Sequence, residues 1–184
     1  PYLHEYLSYN NFEKKIVYVP NYSADNYFKN KDIKFYSSSK IQVLYAGSLG
    51  EANDIPTIIR TIEEINIHYE EKFNFVFYGS GYYERQIIKL SKKYSNVEYF
   101  ESKSYLEILD ITKKFHLGII SWKDCDVYKY GISPNKIPSY LSRGLPIIMS
   151  ANFNHEILEY NAGYISPAGD HISMSKNLIR YFKL

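Results

Sequence analysis

From residue 40 onward the apolar residues switch between two spacings. Dense runs of β-branched and aromatic residues at 41–46, 73–78, 97–100 and 117–121 have the length and composition of buried strands. Between them the apolar positions take a helical period. Ile55, Ile58, Ile59, Ile62, Ile65 and Tyr69 make one face of a helix with Pro56 in its first turn and Asn53 or Asp54 as its cap. Tyr83, Ile87, Leu90 and Tyr94 mark a second helical face. Ser104-Tyr105-Leu106-Glu107 is a capping-box sequence, predicting a third helix to about Phe115. A short helix ending at Arg143-Gly144 precedes an apolar run at 146–149. Another short helix is expected over 154–160, stopped by Asn161-Ala162-Gly163. Tyr164-Ile165 then reads as a brief strand, and Asp170 as the cap of a last helix over 172–181.

Strands alternating with helices predict an α/β fold: a three-layer, Rossmann-like parallel sheet with helices on both faces. Ligands of such sheets bind beyond the carboxyl ends of the strands. The loops expected at that rim are 47–50, 79–81, 101–103 and 122–134. Before residue 40 the pattern breaks. A β-branched run at 16–19 is closed by Pro20, and 25–39 is polar, with Ser37-Ser38-Ser39. The chain therefore divides into a crossover, short strand and linker (1–39) and a ligand-binding domain (40–184). Pro1 is not an initiator and 181–184 fall inside a helical pattern, so the chain reads as a fragment of a longer protein.

Composition narrows the chemistry. A length of 184 residues with 45% hydrophobic content suits one domain with a sizeable core. A net charge of +2 without a basic run argues against a nucleic-acid partner. The single cysteine, Cys125, forms no internal disulfide and points to a reducing compartment. No apolar stretch reaches membrane-spanning length, which leaves room for a peripheral membrane contact outside this stretch. The abundance of Tyr and Phe reads first as compositional bias. The histidines have no metal-ligand spacing, Cys125 has no neighbouring histidine, and Asp124-Cys125-Asp126 reads as a solvated loop. Neither a metal nor a cofactor is expected.

Two features suggest an anion. Lys136 falls in the first turn of its helix, the end where the dipole favours negative charge. An anion docked there would be shared by the lysine and the first backbone N–H groups; the alternative is an amine in water. Gly47-Ser48-Leu49-Gly50 follows a strand, either as an ordinary turn or as backbone that approaches a diphosphate closely. Gly79-Ser80-Gly81 lacks the third glycine and the downstream acid of a dinucleotide fingerprint, so no nicotinamide or flavin site is read.

Ser133-Pro134-Asn135-Lys136, with Tyr140-Leu141-Ser142-Arg143-Gly144-Leu145-Pro146 behind it, resembles the donor-site helix of GT-B glycosyltransferases. The likeness is to retaining family 4, in particular members that assemble bacterial polysaccharides. YAGSLGEANDIPTII (45–59) resembles the family's first phosphate loop, and Val19-Pro20-Asn21 its crossover between lobes. The resemblance implies the C-terminal donor lobe of a hexosyltransferase-type enzyme, with a nucleoside-diphosphate sugar as donor substrate. A glycan or lipid-linked acceptor would be held by a missing N-terminal lobe. It also implies a cytoplasmic protein, at the inner face of a membrane, whose isolated fragment is inactive.

The donor-binding positions implied are Gly47, Ser48, Gly50, Gly79, Ser80, Gly81, Ser102, Lys103, Ser133, Asn135, Lys136 and Ser139; no catalytic residue is assigned. The chain departs from the family where it has Ser48 for a frequent arginine and Asn53 near a frequent lysine. It also has Gly131 and Ser139 in place of two glutamates. These departures keep two alternatives in play: a non-catalytic nucleotide-sugar-binding module, and a sugar-nucleotide epimerase of the same fold.

Overall fold

The structure, a computed structural model, describes residues 39–130, 132, 134–153 and 157–183, with positions 7 and 17 in isolation. The side chains of residues 129 and 130 are not among those described. The readings of a strand at 16–19 and a linker at 25–39, and those resting on Gly131 and Ser133, lie essentially outside the described residues.

Among the described residues six parallel strands form one sheet: β1 (Ile41–Ala46), β2 (Phe73–Tyr78), β3 (Val97–Phe100), β4 (Leu117–Ser121), β5 (Ile147–Ser150) and β6 (Gly163–Ser166). Their order is β3-β2-β1-β4-β5-β6. The chain builds outward from β1 in one direction, then returns and builds outward in the other. β1 and β4 are therefore neighbours at a switch point, where open α/β sheets hold ligands. The two strands pair only at Val43–Leu117 and Leu44–Gly118, whereas β1 and β2 pair over their whole length.

Alternation of side chains along the strands splits the core into two layers. Val43 and Tyr45 face one side with Phe73, Phe75 and Phe77. That side is covered by α1 (Ile55–Asn66), α2 (Glu84–Lys93) and α5 (His171–Phe182), through Ile58, Ile62, Ile87, Leu90, Met174 and Leu178. Leu44, Ala46, Ile120 and Met149 face the other side, under α3 (Tyr105–Ile111) and α4 (Lys136–Leu141), through Ile108, Ile137 and Tyr140. Helices thus cover both faces, the expected three-layer α/β arrangement.

Among the described residues two α-helices, α3 and α5, carry side-chain caps at their N-termini. Ser104 and Glu107 form the expected capping box at α3. The Asp170 carboxylate accepts from the Ser173 backbone N–H at 2.9 Å, capping α5. At α1, however, neither Asn53 nor Asp54 caps with its side chain. Asp54 is left-handed (φ 37°), which turns its carboxylate towards the Ser121 hydroxyl, 3.5 Å away. The Asn53 side chain is instead engaged with Ser48 O and the Lys136 amine. The predicted helix at 154–160 is turn over residues 157–161, and its first three residues lie outside those described.

Candidate donor cleft

A cavity of about 310 Å³ opens at the carboxyl rim of the sheet, beside the β1–β4 switch point. It is lined by the ends of β1 and β2 (Ala46, Gly47, Tyr78, Gly79), the α3 entry (Ser102, Lys103, Tyr105, Ile108) and α4 (Pro134, Asn135, Lys136, Ser139, Tyr140). Seven of the expected positions thus meet around one hollow: Gly47, Gly79, Ser102, Lys103, Asn135, Lys136 and Ser139. Ser48, Gly50, Ser80 and Gly81 do not line it, and Ser133 lies outside the described residues. No carboxylate is among the described lining residues.

The glycines have a reason that the sequence reading did not supply. The loops after β1 and β2 lie backbone against backbone. Gly47 N–H donates to Tyr78 O at 2.9 Å, Leu49 N–H to Ser80 O at 2.9 Å, and Tyr83 N–H to Leu49 O at 2.9 Å. A Cβ at Gly79 would overlap the Gly47 carbonyl oxygen. Gly79 N–H itself donates to Phe100 O at 3.2 Å. The amides of Gly47 and Gly79 are therefore engaged by neighbouring strands. These glycines serve the close approach of two loops, a demand independent of any phosphate.

Lys136 is the centre of the site. It is the first residue of α4, but its side chain leaves the helix end and crosses to the β1 loop. Its Nζ donates to Asn53 Oδ1 at 2.6 Å and to the Tyr45 hydroxyl at 3.0 Å. The amine also lies 4.5 Å from the Tyr45 ring centroid and 5.7 Å from that of Trp122. Its stem occupies the space where a Cβ on Gly47 would stand, and Gly47 adopts φ 145°, a region suited to glycine. The expected clash of a cation with the helix dipole is thus avoided by reach: the charge sits with Asn53 and Tyr45. No carboxylate pairs with Lys136 among the described residues, and burial pushes its amine down to about 7.

Three residues that the sequence reading did not assign to the site organise it. Tyr45 is fully buried; its hydroxyl donates to Ser48 O while accepting from Lys136. Asn53 donates from Nδ2 to the same Ser48 carbonyl at 3.0 Å. Tyr140, also fully buried, accepts the Ala46 N–H at 2.8 Å. Beyond Leu44 and Gly118 the β1–β4 ladder has ended, and this phenol takes the place of a strand partner. Burial pushes both phenols up, so both remain neutral donors and acceptors. The available signal was Gly118: a glycine inside an apolar strand marks close approach, here of the Tyr140 ring.

The Ser139 hydroxyl, at a position where the resemblance places a carboxylate, donates at 2.6 Å to Asn135 O within α4. The lip above Ser102 and Lys103 is aromatic: Tyr78 and Phe100 stack at 5.0 Å, and Tyr105 is 41% exposed. At the base of α3 the Glu107 carboxyl is pulled down to about 2 by the Ser104 hydroxyl, the Ser104 N–H and Lys103. Asp124, Cys125 and Asp126 line a separate hollow of about 210 Å³ with Lys123, Tyr128, Asn152 and Phe153. No group of three or more metal-ligating side chains occurs among the described residues. None of the described helices is long and apolar enough to cross a membrane.

No protein-family model and no curated protein matches the chain. Solved structures do. A structure of a point mutant of S. aureus TarM, in complex with fondaparinux, α-GlcNAc-glycerol and UDP, superposes with a TM-score of 0.68 at 12% identity, over 96% of this chain and 34% of that one. The lipopolysaccharide outer core galactosyltransferase WaaB gives 0.66 at 14% identity, over 92% and 46%. WaaG, a glycosyltransferase of lipopolysaccharide biosynthesis, gives 0.65 at 16% identity, over 91% and 43%. The fold is that of GT-B glycosyltransferases. The chain spans between a third and a half of the length of these three proteins.

Proposed function

We propose that this chain is the donor-binding lobe of a retaining, family 4-like glycosyltransferase. It would move a sugar from a nucleoside-diphosphate sugar to a glycan or lipid-linked acceptor held by another lobe. The observation that carries this reading is Lys136: a largely buried amine without a carboxylate partner among the described residues, on the wall of a cleft at the sheet's switch point. Such a cation suits an anionic ligand better than a structural ion pair. The fold supports the reading, since TarM and GtfA have been solved with UDP.

The work of these residues would be electrostatic. Lys136 would donate to the diphosphate as the glycosidic bond to it breaks and negative charge builds on the leaving group. Lys103, which lines the cleft from the α3 entry while paired with Glu107 at 3.4 Å, would add a further basic group. Tyr78 and Tyr105 would offer apolar surface to the base. The acceptor hydroxyl and the group that receives its proton belong to the other lobe, and the reaction would take place at the inner face of a membrane or in the cytoplasm.

Calorimetric titration of UDP-glucose and GDP-mannose into the intact protein, with and without Lys136→Ala, tests this. Loss of about 1.5–3 kcal/mol of affinity, the worth of a hydrogen bond to a charged group, is expected. Unchanged affinity in the variant places the diphosphate elsewhere. A non-catalytic nucleotide-sugar-binding module is favoured by one observation, the Ser139 hydroxyl engaged with its own helix where the resemblance places a carboxylate. Binding without sugar transfer or donor hydrolysis would select it. The epimerase reading needs acid–base carboxylates, and none lines the described cleft.

A further inference from the structure

We propose that Asn53 and Tyr45 are positioning residues for Lys136, holding its ammonium against the Gly47 side of the cleft and aimed at the pyrophosphate of a nucleotide sugar. The proposal rests on the donor-site reading above and adds to it the residues that make a lone lysine effective. Lysine is a flexible point charge, and a free side chain loses rotamer freedom when a ligand fixes it. Here the fixing is done in advance. The stem packs on Gly47, the amine lies over the Tyr45 ring, and Asn53 Oδ1 and the Tyr45 hydroxyl accept two of its N–H groups. An ammonium has three, so one remains to be offered to the cleft that Lys136 lines.

The acceptors are themselves held. Asn53 Nδ2 donates to Ser48 O, which sets the amide so that its oxygen must face Lys136. The Tyr45 hydroxyl donates to the same carbonyl, which leaves its lone pair for the amine. Ser48 O is thus the anchor of both, and the loop after β1 acts through this carbonyl and not through a side-chain cation.

The groups around Lys136 leave its charge uncompensated. From β1 comes Tyr45 and from its own helix Tyr140, both kept neutral by burial. From the loop before α1 comes Asn53 and from the end of β4 Trp122, neither of which titrates near neutrality. Lys103 lines the same cleft from the α3 entry. Burial alone accounts for the fall of the Lys136 amine to about 7, and the two acceptors oppose it by favouring the charged form. A bound diphosphate would favour that form further, so binding draws a proton onto Lys136.

The test is the pH profile of affinity for UDP-glucose and GDP-mannose on the intact protein, whose pyrophosphate diesters do not titrate near pH 7. Alongside it, NMR of the Lys136 side chain follows its titration without ligand. Affinity should be level at acid pH and fall as pH rises through about 7. Asn53→Leu removes the acceptor at similar size. Losing one hydrogen bond to a charged group should move the midpoint down by about one to two pH units and weaken binding at pH 7 about tenfold or more. Tyr45→Phe should move it the same way. Asn53→Asp, isosteric but unable to donate to Ser48 O, should raise the midpoint while weakening binding, because its carboxylate competes with the ligand.

Weaker binding with the midpoint unmoved in Asn53→Leu and Tyr45→Phe, or an Asn53→Asp midpoint that does not rise, overturns the positioning role and leaves the donor site standing. A wild-type protein that binds neither nucleotide sugar, or a Lys136→Ala variant that binds as well as wild type, overturns the donor reading and the positioning role with it.

Discussion

The Tyr140 hydroxyl accepts the backbone N–H of Ala46 at 2.8 Å, joining α4 to the end of β1 across 94 residues of sequence. The same ring fills the space that a side chain at position 118 would need. One residue therefore fixes both the height of α4 over the sheet and the separation of β1 from β4. Tyr140→Phe leaves a buried N–H unpaired and should cost about 1–3 kcal/mol of stability in urea unfolding. Gly118→Ala should cost a similar 1–3 kcal/mol by overpacking, and should shift the near-UV tyrosine signal as the ring is displaced.

Lys136 makes the stability of the unliganded protein depend on pH. Burial pushes its amine down to about 7, whereas in the unfolded chain it titrates near 10.4. Between those values the unfolded chain binds more protons, so stability must rise with pH. Relative to Lys136→Met, wild-type protein should gain about 2 kcal/mol between pH 7 and pH 9, followed by chemical denaturation at each pH. Equal pH slopes in the two proteins would mean that the amine is solvated.

Gly79→Ala should act on fold and site together. The added methyl would meet the Gly47 carbonyl oxygen, a backbone atom of a residue whose N–H is tied to Tyr78 O. A loss of about 1–3 kcal/mol is expected, with weaker nucleotide-sugar binding as the Gly47 loop is pushed towards Lys136. Thermal unfolding and calorimetry on the same preparation read both effects.

Tyr105→Ala should separate the two. Tyr105 is 41% exposed and lines the cleft, so its loss should leave the melting temperature near that of wild type. If the base lies against it, nucleotide affinity should fall by about 1–3 kcal/mol, the range for base–aromatic stacking. Unchanged affinity would put the base away from the α3 entry.

The elements were legible in the sequence where pattern and local chemistry agreed. The aromatic run of β2, the isoleucine face of α1 and the Ser104–Glu107 box each carry their structure in adjacent residues. The cap of α1 was not legible, because it depends on Asp54 turning left-handed towards Ser121, which is 67 residues away. In the site, Lys136 stood out as a misplaced cation, but its partners did not. Tyr45 and Tyr140 are two among 21 tyrosines, and nothing local marks them as the ones that meet α4 and β1. The loop at Gly47 reads in sequence either as an ordinary turn or as room for a diphosphate, and Gly79 only as a donor-binding position; that the Lys136 stem packs on Gly47 and the Gly47 backbone on Gly79 depends on contacts that exist only after the sheet has formed.

The reciprocal hydrogen bonds between Leu49, Ser80 and Tyr83 lock the loops after β1 and β2 into a single clasp. These are main-chain groups, so what matches the two halves is their close approach: a Cβ at Gly79 or Gly81 would meet the backbone of Gly47 or Leu49. Reshaping this rim of the sheet would therefore mean moving residues 47–50 and 79–83 together.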